Sequence, residues 1–460
     1  MMRSMYSAVS GLKTHQTKMD VIGNNIANVN TVAFKSSAVT FSEIMYQTIS
    51  SASGANEATG TGGINAKQIG LGVTTGATNV SITSSGAAQT TGNAFDIRLT
   101  DANSTNFFIV NNGSENLFTR AGSFYVDGSG NLCMTSTGYT VMGWQVQTDQ
   151  TTGEKTIKKD TVSALKVMSA GNMTSAPEET TKAYVAGILD KNTVDLTNGG
   201  LTMTLNFTDK LGYTYTAKFN IVPTDIAKNS QEQGDYTISL TDIIDQNNTS
   251  CFATGKITGT PEQVFATAKL KFKPEDGTFD YISAAGTNAV TMNLANKWND
   301  QFSDITVDFS TCKMDNNNKQ STISAKPGTS SQDTTGKGKK LGALTGLSVD
   351  TSGKIWGTYD NGNTELLCQI ASAQFANASG LEKVGENCYT TTLNSGDFDG
   401  IGTEITADGS KMTSGQLEMS NVDLSTEFTD MITTQRGFQA NSRIITTSDT
   451  LLEELVNLKR

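Results

Sequence analysis

Residues 5–29 read MYSAVSGLKTHQTKMDVIGNNIANV, and residues 424–458 read LSTEFTDMITTQRGFQANSRIITTSDTLLEELVNL. In the first stretch Met5, Leu12, Met19 and Ile26 recur every seven residues, and Ala8, His15, Ile22 and Val29 interleave three residues later. In the second, Leu424, Met431, Phe438, Ile445 and Leu452 repeat the device. Its alternate row is mixed: Phe428 and Val456 are apolar, whereas Gln435, Ser442 and Asp449 are not. A third row, Ile444, Leu451 and Leu458, widens the apolar face. The seven-residue period predicts two long α-helices with coiled-coil seams. The first is expected to stop at Asn28-Val29-Asn30-Thr31, where Asn-rich, β-branched chemistry ends a helix. Asp423 with Glu427, or Ser425, suits the start of the second, and Lys459-Arg460 suits the negative pole at its end. A helix over 424–458 is roughly 50 Å long at ~1.5 Å per residue, more than one small domain covers. Its expected partners are the N-terminal helix and helices of neighbouring chains. An intramolecular two-helix hairpin with a solvent-facing back is the alternative.

Between the helices the chain reads as β. Residues 48–92 are rich in Gly, Ser, Thr and Asn and suggest an extended connector with weak strands. Phe107-Phe108-Ile109-Val110 is a run of the fully buried type, and Asp127-Gly128-Ser129-Gly130 marks a hairpin between Phe124-Tyr125-Val126 and Leu132. Val349-Asp350-Thr351-Ser352-Gly353 and Tyr359-Asp360-Asn361-Gly362 mark two more; Asn-Gly supplies the positive φ angles of a tight two-residue turn. All five prolines (Pro177, Pro223, Pro261, Pro274, Pro327) fall in the middle, among alternating strands such as 201–205 and 213–216. The expected architecture is a multidomain α+β chain, nested from the ends inward. Residues 1–47 and 418–460 form a helical coiled-coil domain and 48–92 a connector. Residues 93–147 with 341–417 form a discontinuous β domain, and 148–340 an inserted β domain.

Rare residues exclude several chemistries. His15 is the one histidine, so histidine-clustered metal sites cannot be built, and on a helical seam it reads as a packed side chain. Cys133, Cys251, Cys312, Cys368 and Cys388 are odd in number and far apart, which argues against a disulfide scaffold and a thiolate zinc site. A formal net charge of −11 opposes nucleic-acid binding. No apolar run suits a membrane span or a cleaved signal peptide. Ser10-Gly11-Leu12-Lys13 matches S-x-x-K but lacks its companion motifs. Gly70-Leu71-Gly72-Val73 lacks the spacing of a phosphate loop, and Asp397-Phe398-Asp399-Gly400 lacks the further oxygens of a calcium loop. No cofactor, metal or catalytic constellation remains. What remains is association.

Asp20-Val21-Ile22-Gly23-Asn24-Asn25-Ile26-Ala27-Asn28, followed by Thr31, Phe34 and Lys35, resembles the N-terminal signature of bacterial flagellar rod and hook proteins. Ser420-Asn421-Val422-Asp423-Leu424-Ser425 with Glu427, then Gln435-Arg436-Gly437-Phe438-Gln439-Ala440-Asn441, resembles that family's other end. Residues 93–97, 107–110, 119–124 and 369–381 resemble its first β domain. Two departures, Ala33 and Asn106 where the family usually has glycine, suggest altered turn geometry. Length and the large inserted β region place the resemblance nearest the hook-forming members; a distal rod or hook–filament junction role is the alternative. The resemblance implies export through the flagellar type III apparatus and assembly beneath a cap into a helical homopolymer. Its coiled-coil ends would line the inner tube, and its β layers would slide as the hook bends and transmits torque. Implied partners are further copies of the chain, the hook cap, the distal rod and the junction proteins. The implied location is the extracellular hook of the basal body.

Overall fold

A computed structural model describes residues 2–55, 60–148, 155–225, 230–295, 297, 301–330 and 335–458. The expected Lys459-Arg460 end charge lies outside the described residues. Two compact units emerge: Met1–Ser169, Leu347–Gly357 and Leu366–Arg460 form the first, and Ala170–Gly346 with Thr358–Glu365 the second. The exit from the first unit thus lies near 170, not 148. The intervening short strands Lys155–Ile157 and Ser163–Ala164 pair with Thr140–Thr148, and Leu165 and Val167 are buried in that unit's core.

The first unit is built on the strand Asn106–Asn111, which pairs with Asn116–Thr119, Thr140–Thr148 and Ser372–Gln374. Alternate side chains of a strand point to opposite faces. Phe108 and Val110 therefore enter one core with Leu117, Val141 and Ile370, while Phe107 and Ile109 enter another with Phe118, Trp144 and Tyr389. That two-sided burial is why the sequence here is continuously apolar. In the second unit the strands alternate instead. Tyr215, Ala217, Phe219 and Ile221 are buried in Thr214–Pro223, and the residues between them are not. An antiparallel meander of five strands (Leu201–Thr208 through Phe279–Ile282) shares this unit's core with a second sheet. In that sheet Lys182–Ile188 and Ile305–Lys313 run parallel.

The three sequence-marked hairpins have one geometry. Asp127, Asp350 and Tyr359 each donate N–H to the carbonyl four residues on and accept one from the glycine three residues on. Gly130, Gly353 and Gly362 have φ of +84°, +76° and +80°. Asn361 has no positive φ, so its hairpin is a three-residue loop closed by a left-handed glycine, not the tight two-residue turn expected. Nor does strand structure wait for residue 48. Ser37–Glu43 pairs with Val73–Val80, and Tyr46–Ser50 with Lys67–Gly70, giving one long hairpin arm from 37 to 80.

Neither family departure alters the backbone as expected. Ala33 has φ +56° and is buried, so alanine occupies the left-handed conformation that glycine adopts without steric cost. Asn106 pairs in register with Gln374 as ordinary strand. Its buried amide donates to Asp101 Oδ1 and Ser104 O and accepts from Gln374 Nε2.

Candidate functional site: the terminal helix pair

The N-terminal helix spans Met2–Ala27 and the C-terminal helix Leu424–Asn457. The first ends as the sequence indicates. Asn28 Nδ2 turns back to Asn24 Oδ1 at 2.8 Å, and Thr31 Oγ1 donates to Asn28 Oδ1 at 3.0 Å. The second starts on Asp423, whose carboxylate accepts from Ser425 N (2.9 Å) and Thr426 Oγ1 (2.9 Å). These bonds, with that of Thr426 foremost, hold its pKa below the usual carboxylate range.

The helices pack antiparallel. Lys18 Nζ lies 3.3 Å from Asp430, and Asn25 Nδ2 donates to Glu427 Oε1 at 2.8 Å. Gly11 faces Asn441, and Gly437 faces His15. A methyl group on Gly11 would stand 2.6 Å from Asn441 Nδ2, and one on Gly437 2.7 Å from His15 Cε1. Apart from Ile22, the buried side chains at the pair are small or polar: Ala8, Thr14 and Asn25 from one helix, Thr434 and Ser448 from the other. His15 is packed edge-on to Phe41, with burial first and Lys18 second lowering its pKa.

The seam expected from sequence is therefore displaced. The innermost row of the C-terminal helix is Glu427, Thr434, Asn441 and Ser448, three residues after Leu424, Met431, Phe438 and Ile445. The row four residues after, from Phe428 through Gln435, Ser442 and Asp449 to Val456, lies further out. Met431, Phe438, Ile445 and Leu452 flank the contact half-buried, as do Met5, Leu12, Met19 and Ile26; Ile22 is fully buried. Leu424 and Phe428 are exposed, and so are Tyr6, Val9, Ile432 and Ile444. Residue 2 comes opposite about residue 450, so the last turns overhang. Val456 is 67% exposed and Leu458 82%. Among the described residues, no helix is long and apolar enough to cross a membrane.

Signature residues tie the pair to the β unit. Asn25 Oδ1 accepts from Ser37 N at 3.0 Å while its amide donates to Ser37 O at 2.8 Å. Asn421 Oδ1 accepts from Ser36 N at 2.8 Å, and its amide donates to Ser81 O at 2.9 Å. Glu427, beside Asn25, has its pKa raised, first by burial. Gly23, Asn24 and Ala27 are exposed and Val422 half-buried. Periodicity passed over Thr14, Thr434 and Ser448, because small polar residues carry no hydropathy signal. It also passed over Lys35, Arg120 and Glu418, whose interior charges meet only in the fold.

Three family models match the chain: "Flagella basal body rod protein" over residues 5–35, "Flagellar hook protein FlgE/F/G D1 domain" over 103–174, and "Flagellar basal body rod FlgEFG protein C-terminal" over 413–458. The chain is 34% identical to the flagellar hook protein FlgE of Treponema pallidum and 35% identical to that of Borreliella burgdorferi, with 100% of both chains covered each time. It is 30% identical to the flagellar basal-body rod protein FlgG of Bacillus subtilis, again with 100% of both covered. A crystal structure of Helicobacter pylori flagellar hook protein FlgE2 aligns with a TM-score of 0.40 at 13% identity, over 72% of this chain and 100% of that one. The full-length identities and the three domain matches agree: the chain belongs to the flagellar hook and rod protein family.

Proposed function

We propose that this chain, a structural and not a catalytic member of its family, builds the flagellar hook as a helical homopolymer through its terminal helices. The observation that carries this reading is the one-sided burial of the helix pair. Apart from Ile22 its interior is small and polar, while Tyr6, Val9, Phe428, Ile432, Ile444, Leu451, Leu455 and Val456 stand on exposed surfaces. Apolar surface left open on a long helix is stabilised by neighbours, not by water. A non-closing, head-to-tail contact between identical chains generates a tube. In the polymer the helices supercoil into an inner coiled-coil layer, with Met5, Leu12, Met19, Ile26, Met431, Phe438, Ile445 and Leu452 completing their burial against other copies. The chain reaches the growing tip by flagellar type III export. It assembles there beneath the hook cap, between distal rod and hook–filament junction, on the outside of the cell. The end-to-end alignment with a rod protein favours one second reading, a distal rod subunit using the same helices.

The substitution Ile445→Pro tests this. It removes a backbone donor in mid-helix and costs ~3 kcal/mol or more there. Nucleated polymerisation should fail while the second unit melts as before. Normal tubes from that variant would refute assembly through this helix.

A further inference from the structure

Lys35, Arg120 and Glu418 lie in the interior of the first unit, and they come from the two signature regions and the β unit between them. Glu418 is at the end of the strand Gln416–Glu418, five residues before the C-terminal helix cap. Its Oε1 accepts from Lys35 Nζ at 2.8 Å and from Gly86 N at 2.9 Å; its Oε2 accepts from Arg120 Nε at 3.1 Å. Lys35 Nζ also donates to Ser84 O at 2.6 Å. Arg120 continues to Asp101 Oδ2 at 2.6 Å and to the carbonyl of Asn106 at 2.7 Å. The side chains of Lys35, Arg120 and Glu418 are 1%, 1% and 0% exposed. The backbone reinforces the link: Ala33 N donates to Glu418 O at 2.8 Å, and Asn421 N to Phe34 O.

We propose that Glu418, shared between Lys35 and Arg120, is a latch that makes the docking of both terminal segments onto the β unit one all-or-none event. If the 416–421 segment leaves, Lys35 and Arg120 remain side by side, both positive and without their common anion. A buried charge stripped of its partner is far more costly than the intact pair is stabilising. Lys35 must then return to water, and it carries Ala33, Phe34 and the end of the N-terminal helix with it. If the 31–36 segment leaves first, Glu418 and Asp101 retain one cation between them and the interior holds an uncompensated negative charge. Half-docked states are thus penalised from either side. Burial lowers the pKa of Lys35 despite Glu418, so its charge in the interior depends on that carboxylate. The latch belongs to the single chain. It stands or falls separately from assembly, because it can be read on dilute, unpolymerised protein.

Hydrogen exchange with mass spectrometry, on the full chain over a series of low denaturant concentrations, is the test. In the unsubstituted chain, amides in 31–36, 84–88 and 416–421 should open together, with one free energy and one denaturant dependence. Glu418→Gln should raise exchange in all three by about a hundredfold or more. Lys35→Met, placed in the N-terminal segment, should raise exchange at 416–421 by about tenfold or more. Amides of residues 214–222 serve as the internal standard. Separate opening of 31–36 and 416–421 in the unsubstituted chain would overturn the latch, as would a rise confined to the substituted segment. If a variant loses protection in the standard as well, it has unfolded globally, and the unsubstituted chain's denaturant series decides alone.

Discussion

Gly86→Ala probes how the C-terminal helix is attached. A Cβ on Gly86 would stand 1.8 Å from the carbonyl oxygen of Met419 and 2.7 Å from its carbonyl carbon. Both are main-chain atoms that cannot rotate away. The backbone of Gly86 has no positive φ, so the effect is purely steric. Reaching ordinary contact needs an opening of about 1.7 Å, since packed atoms sit at about 3.5 Å. The bonds that would stretch are Met419 N to Ala87 O at 2.9 Å and Gly86 N to the Glu418 carboxylate at 2.9 Å, with the strand pair Gln416–Glu418 against Ala88–Thr90 beside them. One neutral and one charge-assisted bond, with weakened neighbours, amount to about 3–4 kcal/mol. The reduced freedom of the unfolded chain returns about 0.4–1 kcal/mol. A net loss of about 3 kcal/mol lowers the melting temperature of the first unit by roughly 6–12 °C. Differential scanning calorimetry should show that transition shifted and the second unit's unchanged. A shift below about 2 °C would mean that the 416–419 segment is not held as described, and the reasoning would fail.

Gly23 behaves oppositely: it is exposed near the end of the N-terminal helix, with nothing within 4 Å of an added Cβ. Gly23→Ala should stabilise the isolated chain by about 0.5–1 kcal/mol in chemical denaturation. If the same variant polymerises poorly, a neighbouring chain approaches this glycine closely. The five cysteines are free and buried, and burial raises every thiol pKa, to about 12 for Cys312 and Cys368. Thiol alkylation at pH 8 should therefore find almost no reactive cysteine in the native chain and all five in denaturant; a stoichiometric native disulfide would contradict this. Burial opposes the charge of Asp408, but hydrogen bonds from Ser104, from Ser410 and from Asn106 hold its pKa down to about 2. A depressed carboxylate pKa contributes stability that is complete above the unfolded value and lost as pH falls through the folded one. Acid titration should thus show a stability loss between about pH 4 and 2 that Asp408→Asn makes shallower, and an unchanged slope would remove Asp408 from the account.

The sequence made the helices and the β interior legible through their periods. Seven-residue recurrence located both helices to within three residues at each end, because few other structures repeat that way. The run Phe107–Val110 announced a strand covered on both faces. The contact between the helices lies elsewhere than the apolar period indicates. Hydropathy directs apolar residues toward the nearest partner, yet Gly11 and Gly437 permit a close approach that favours small and polar side chains such as Thr14, Thr434 and Ser448 between them. The larger apolar residues are displaced to the flanks and the outside. The pairing of Glu418 with Lys35 was illegible for another reason: they meet across 383 residues of chain, and an interior ion pair leaves no local pattern. Ala33 shows the reverse case, a residue unsuited to its backbone angle and held there by the surrounding core and by the bond to Glu418.

The central claim is that the exposed faces of the terminal helices drive assembly. The structure also sets where a helix-free chain must be cut: residues 33–35 and 417–418 belong to the β unit's interior, so residues 30–422 are kept. Full-length protein and this shortened chain should be compared by light scattering across a concentration series, seeded with sheared polymer, and checked by electron microscopy. The full chain should elongate the seeds into tubes while the shortened chain stays monomeric with both β units folded. Tubes formed by residues 30–422 as readily as by the full chain would contradict the account.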